Sequence, residues 1–331
     1  MKTPAVLNSV LAGRIRQFLA HRRALGRRYD VEEKTLRLFD RYLIERRVKR
    51  PDQVTPAIIE AFLASRPRHR PRSYNHLLCT VRRLFDWLVA QGLLDQSPVR
   101  AEPRRQTSAR IPFIFDPPMA RRLLEMAREL PDNSRASSRG STYRAIFAIL
   151  YGLGLRVGEA CRLRLSDVDW ARRVLLIRQT KFYKSRLVPF GPRMAALLEE
   201  YRKARLDRAG TAGTLASDAP LFSFTTRGEI HPMTVSQVFH AMVPRLALEV
   251  PPGCSPPRLH DLRHSFAVGT LLRWYRSGTD PGAGLLKLAT FLGHVDPNST
   301  AVYLTITTAL LQEANRRFEA FANPAVKEEL P

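Results

Sequence analysis

Apolar residues recur at helical spacing along most of this chain, and proline, glycine and capping side chains punctuate the gaps. Residues 7–24 carry Val10, Leu11, Ile15, Phe18 and Leu19 on one face and arginines largely on the other, which predicts an amphipathic helix. Residues 31–46 repeat the pattern with Leu36, Leu38, Phe39, Tyr42 and Leu43. Thr55 followed by Pro56 reads as an N-cap and a first-turn proline, opening a helix through residue 63. Residues 73–91 give a long stripe, with Leu77, Val81, Leu84, Phe85 and Leu88 facing a core, and Gly92 closes it. These segments predict a small helical bundle with basic outer faces.

A polar, proline-punctuated stretch at 98–107 reads as a linker, dividing the chain into domains at 1–107 and 108–331. Beyond it, Asp116 caps and Pro117 starts a helix through residue 130, and residues 141–151 form a largely apolar helix central to the second core. Strand signals stand at 174–177 and 186–189, with a hairpin turn over 180–185. Helices follow at 192–206, 234–248 (Thr234 and Gln237 as a capping box), 260–275, 284–292 and 306–321. The expected fold is mainly α with a small antiparallel β-sheet. There is no internal repeat.

Charge turns this outline toward a partner. Lys and Arg number 54 against 30 Asp and Glu, a net +24. Residues 1–110 hold 24 basic and 10 acidic side chains, or +14, leaving 30 and 20, or +10, for the remainder. Such an excess attracts polyanions, and nucleic acid is the expected partner. Cys79, Cys161 and Cys254 are odd in number and far apart, so neither a disulfide framework nor a zinc knuckle is expected and a reducing cytoplasm fits. The longest apolar run, over 145–155, is too short to span a bilayer, and no membrane association is expected.

Four constellations could carry chemistry. In Gly154-Leu155-Arg156-Val157-Gly158-Glu159, Arg156 and Glu159 are neighbours if the turn is helical, so the carboxylate can orient the guanidinium. Lys181 sits at the tip of the expected hairpin, with Lys184 close behind, where an amine can reach into a groove; taken alone, such a lysine is a solvated turn residue. In His260-Asp261-Leu262-Arg263-His264, His260 and Arg263 share a helical face and can address one phosphate. His260 and His264 also have zinc-ligand spacing, but no third ligand or HExxH glutamate accompanies them, so no metal is expected. The fourth is Gly293-His294, then Asp296 and Pro297 as cap and first turn of a helix that places Tyr303 about two turns in.

In that order, Arg156, Lys181, His260, Arg263, His294 and Tyr303 resemble the tyrosine recombinase (phage integrase) family. The resemblance rests on the Gly-Leu-Arg-x-Gly-Glu turn, the lysine hairpin ending Arg-Leu-Val-Pro, His-x-x-Arg, Leu-Gly-His and a tyrosine nine residues beyond that histidine. Leu153 departs from it, standing where the family often has threonine. The resemblance implies a SAM-like helical core-binding domain, then an α+β catalytic domain whose last helix, 306–321, docks on a neighbouring protomer. It also implies a site-specific recombinase that cleaves and rejoins double-stranded DNA through a covalent 3′-phosphotyrosyl intermediate, as a tetramer, without cofactor.

In that scheme Tyr303 attacks, Arg156 and Arg263 hold the phosphate, and Lys181 protonates the leaving 5′-oxygen, with Lys184 as fallback. His260 takes the tyrosine proton, His294 donates to the phosphate and Glu159 supports Arg156. Service to a phage, transposon or plasmid follows by analogy, as does a partner recombinase or directionality factor. The short stretch before the first helix leads to the expectation that no separate arm-site-binding domain precedes it. Two other readings share these residues: a type IB topoisomerase that relaxes one duplex, and a non-catalytic DNA-binding protein on the same fold.

Overall fold

The computed structural model describes residues 7–105, 111–178, 185–209, 215–225, 228–294, 296, 298–301, 303 and 308–322. The chain divides into two compact units, Met1–Ala109 and Arg110–Pro331. Among the described residues no helix is long and apolar enough to cross a membrane.

The first unit is built on α1 (Ala12–Ala24), α2 (Asp30–Glu45), α3 (Pro56–Ala64) and α4 (Pro71–Ala90). Their apolar stripes meet in one core, where Ile15, Phe18, Leu36, Phe39, Phe62, Val81 and Leu84 are almost wholly buried. α1 starts later than the periodicity predicts. Residues just before it are instead fastened to α2, because buried Asp40 accepts the Asn8 and Ser9 backbone N–H groups at 3.0 Å each. Thr55 caps α3 by accepting from the Ile58 N–H, as its place before Pro56 implies.

The second unit opens with α5 (Pro117–Arg128), capped by Asp116, whose Oδ1 accepts the Met119 N–H at 2.8 Å. α6 (Arg139–Gly152) is buried on nearly every face, which explains its poor amphipathicity in sequence. α7 (Val157–Cys161) leads to a three-stranded antiparallel sheet of β1 (Val168–Asp169), β2 (Val174–Ile177) and β3 (Arg186–Pro189), in that order. β2 and β3 pair in register from Val174 opposite Pro189 to Ile177 opposite Arg186. β1, two residues long, carries no periodicity to predict it.

α8 (Pro192–Ala209) and α9 (Pro232–Met242) follow. α9 is shorter than expected and starts elsewhere. His231 caps it by accepting the Met233 N–H, with Pro232 in the first turn, rather than Thr234 with Gln237; a 3-10 turn over Val243–Leu246, holding Pro244, ends it. α10 (Asp261–Arg276) packs against α6, α11 (Pro281–Leu292) and α13 (Thr308–Ala322). Asp280 caps α11, accepting the Gly282 and Ala283 N–H groups, so this helix begins earlier than the apolar pattern indicates. α12 (Asn298–Ala301) is a single turn, and Tyr303 lies just past it rather than two turns into a helix.

Candidate active site

The C-terminus of α11 organises the site. Gly293 adopts φ +68, and the backbone N–H groups of Gly293 and His294 return to the carbonyls of Thr290 and Ala289, a Schellman closure. Glycine is required there for a second reason, since a Cβ would lie 2.7 Å from Arg186 Nη1. The last carbonyls of a helix lack intrahelical donors and carry the negative end of its dipole. Arginines supply the missing donors: Arg186 Nε to Phe291 O at 2.8 Å, Arg263 Nη2 to Leu292 O at 2.8 Å, and Arg156 Nη2 to Gly293 O at 3.1 Å. Thus a helix end gathers three guanidiniums, with His294 directly beyond it.

The Gly-Leu-Arg turn is fixed from the opposite side. Gly154 has φ +61 and sits against Phe266 and Leu292, and its carbonyl accepts Arg263 Nη1 at 2.6 Å. Arg156 is the N-cap of α7, and Glu159 accepts both its backbone N–H at 3.0 Å and its Nη1 at 2.8 Å. The same carboxylate receives Arg186 Nη1 at 3.0 Å and Nη2 at 2.8 Å. Burial pushes the Glu159 carboxyl up, but the hydrogen bonds and charge of Arg186 and Arg156 outweigh it and hold it at about 2.

Arg156 and Arg186 share this one carboxylate and Arg263 stands beside them without an ion pair of its own among the described residues, so the cluster is short of negative charge. Burial and the facing charge of Arg156 push Arg263 down to about 9, although Glu159 opposes them. Arg263 is 1% exposed, and its Nε has no hydrogen-bond partner among the described residues. A buried cation with an unfilled donor is stabilised by an anion. This cluster suits a phosphate.

The imidazoles and the phenol stand beside it. Tyr303 is buried at 2% exposure, and burial raises its phenol while Arg263 and Arg156 pull it back down. Its Oη is 2.9 Å from His264 Nδ1, a hydrogen bond that the motif reading, with His260 as the base, does not anticipate. His260 occupies the N-cap position of α10 without a side-chain capping bond and stands edge-on to His264 at 4.7 Å between ring centroids. His294 Nδ1 pairs with the hydroxyl of fully buried Thr300 at 2.6 Å, fixing its ring, which stacks 6.3 Å from that of Tyr303.

Burial, with the nearby cations, lowers His264 and His294 to about 4, leaving both neutral near pH 7. His260 is pushed the same way, but it is exposed at the surface, so water screens much of that push. Of the residues singled out in the sequence, Arg156, Glu159, His260, Arg263, His294 and Tyr303 therefore converge. Lys181 and Lys184 lie outside the described residues.

The motifs assign no role to Arg186 or His264, although the sequence carries signals for both. In β3, Arg186 shares the strand face of Val188, which is fully buried, so a charge at that parity points inward. His264 is one residue past Arg263 and four past His260, so a helix here brings it to the His260 side, one turn on.

A constellation of guanidiniums, imidazoles and a phenol on a mainly helical fold defines a class of protein that works on phosphodiesters. Comparison with known proteins makes it specific. The profile of the phage integrase family matches residues 120–309. A Sinorhizobium fredii protein named as integrase/recombinase y4rB is 34% identical over 307 residues, covering 92% of this chain and 96% of that protein. The tyrosine recombinase XerC of Myxococcus xanthus is 28% identical, covering 83% of this chain and 85% of that one.

Among solved structures, a Tn1549 transposon integrase in complex with transposon right end DNA superposes with a TM-score of 0.64 at 17% identity, covering 96% of this chain and 100% of that one. A lambda integrase dimer bound to a COC′ core site gives 0.62 at 17% identity, covering 88% and 76%. At such identities these two speak for the fold. The chain belongs to the phage integrase family of tyrosine recombinases. It is a site-specific recombinase, and its partner is DNA.

Proposed function

We propose that Tyr303 is the nucleophile, attacking a DNA phosphate to give a 3′-phosphotyrosyl link and a free 5′-hydroxyl. Arg156 and Arg263 hold the non-bridging oxygens, where charge builds in the pentavalent transition state. The observation that carries this reading is the anion-deficient cluster in which Arg156 and Arg186 share Glu159 and buried Arg263 stands close by, with Tyr303 beside Arg263. Glu159 orients Arg156, and exposed His260 and tethered His294 present imidazoles to the phosphate. Lys181, or Lys184 in its place, protonates the leaving oxygen. The phosphotyrosine retains the bond energy, so a 5′-hydroxyl from a second duplex reverses the step without cofactor or metal.

Residues 1–107 act as the core-binding domain and 108–331 as the catalytic domain, with α13 exchanged between four protomers on paired sites. Service to a mobile element, with or without a partner recombinase or directionality factor, completes the reading. A nicked suicide duplex tests it. The wild type traps an SDS-stable protein–DNA band, and Tyr303→Phe binds the duplex but forms none. Cleavage by Tyr303→Phe overturns the assignment. A two-site assay separates strand exchange from simple relaxation of a supercoiled circle.

A further inference from the structure

We propose that His264 is the direct proton acceptor of Tyr303 during strand cleavage, its Nδ1 taking the phenol hydrogen while the Asp261 carboxylate, on the Nε2 side, favours the tautomer that leaves Nδ1 free to accept. The inference rests on Tyr303 as nucleophile and adds a residue to that reading.

The contact itself is the first ground. His264 Nδ1 lies 2.9 Å from Tyr303 Oη, within reach for proton transfer without rearrangement. The second is the tautomer. Asp261, 2% exposed, stands one turn back on α10 with its Oδ1 4.0 Å from His264 Nε2. That is too long for a direct hydrogen bond, but a buried carboxylate on that side favours the hydrogen on Nε2. Nδ1 then presents its lone pair to the phenol.

The third ground is a division of labour between neighbouring imidazoles. His260 is exposed at the start of α10, whereas half-buried His264, one turn on, meets the phenol. With His264 held down at about 4 by burial, His260 and Arg263, the ring is neutral and can accept, but an imidazolium there is costly in the free protein. A phosphodiester bound by Arg156 and Arg263 offsets that positive charge, so acceptance of the proton becomes favourable only once DNA is in place.

The step balances. The Tyr303 O–H bond breaks, its proton passes to His264 Nδ1, and the Oη–P bond forms. The P–O5′ bond breaks, and the leaving oxygen takes a proton from the lysine general acid. Rejoining returns each proton along the same path.

The test uses full-length protein and a duplex found by the protein itself. Wild type is incubated with a pool of nicked duplexes carrying a randomised core, and the DNA in SDS-stable adducts supplies the substrate. His264→Asn keeps a polar atom near the place of Nδ1 but cannot take a proton at neutral pH; His264→Ala removes both. Expected are adduct rates at least ~100-fold below wild type for both variants, with unchanged DNA affinity and circular dichroism. A 5′-bridging sulfur, whose thiolate leaves without protonation, restores Lys181→Ala yet leaves His264→Asn slow. Wild-type rates in His264→Asn, or its rescue by the sulfur, overturn the inference. Adducts from Tyr303→Phe, or none from wild type, instead remove the nucleophile reading, and this inference with it.

Discussion

Arg186 meets both oxygens of the Glu159 carboxylate while its Nε holds the Phe291 carbonyl, so one side chain ties strand β3 to the Arg156 turn and to the end of α11. Its side chain is 9% exposed and that of Glu159 is 3%. Removing one partner of a buried, hydrogen-bonded pair leaves an under-compensated charge, typically costing about 3–5 kcal/mol. Arg156 remains on Glu159, so Arg186→Ala is expected near the lower end, read as a fall in the denaturation midpoint. Arg186→Lys keeps the charge but loses the fork, so it is expected to recover less than half of the loss and to leave cleavage slow. Wild-type cleavage by Arg186→Ala would show that the frame does not need this tie.

Gly293 is constrained by its backbone angle and by its neighbour together. An alanine there carries about 1 kcal/mol of left-handed strain and also displaces the Arg186 guanidinium. Gly293→Ala is therefore expected to lower stability by more than strain alone, about 2 kcal/mol or above, measured by denaturant unfolding. In an Arg186→Ala background the same substitution is expected to cost only the strain. Equal costs in the two backgrounds would refute the clash.

Acid should loosen the second unit in a defined window. His264 and His294 fall from 6.5 to about 4 on folding, so the unfolded chain binds more protons between those values. Their contribution is present above pH 6.5 and is lost as pH falls toward 4. Asp261, raised by burial from 3.8 to about 6, works the other way over part of the range, one group against two. Glu159 adds its loss only below 4.5. Melting temperature is thus expected to drop from pH 6.5 to 4, with a shallower slope in His264→Asn. A flat profile would contradict the neutral buried imidazoles.

The first unit exposes Arg68, Arg70 and Arg72 in and beside the start of α4. If they meet phosphates, affinity for duplex DNA of any sequence falls steeply with salt on a log–log plot. Arg70→Ala and Arg72→Ala are each expected to reduce the slope by about one, without shifting the melting temperature. Slopes equal to wild type would place the phosphate contacts elsewhere.

Much of this was legible in the residues. Proline and its preceding cap located the starts of α3 and α5, and apolar stripes located the α2 and α4 cores, because these signals are local. Local signals failed where a distant group intervened: Asp40 fastening residues 8 and 9, or His231 rather than Thr234 opening α9. The order of Arg156, His260, Arg263, His294 and Tyr303 names a chemistry without any distance.

The sequence by itself determined the family, the helical layout and the set of chemical groups, since residue type and spacing suffice for each. Only the tertiary structure decided how the groups are wired. Arg186 and Glu159 are 27 residues apart, Arg156 and Gly293 are 137, and His264 and Tyr303 are 39. Hydrogen bonds depend on position and angle to within fractions of an ångström, and packing of α10 and α11 on the Gly154 turn sets those positions. That packing is why the phenol leans on His264, an imidazole to which the motif gives no role.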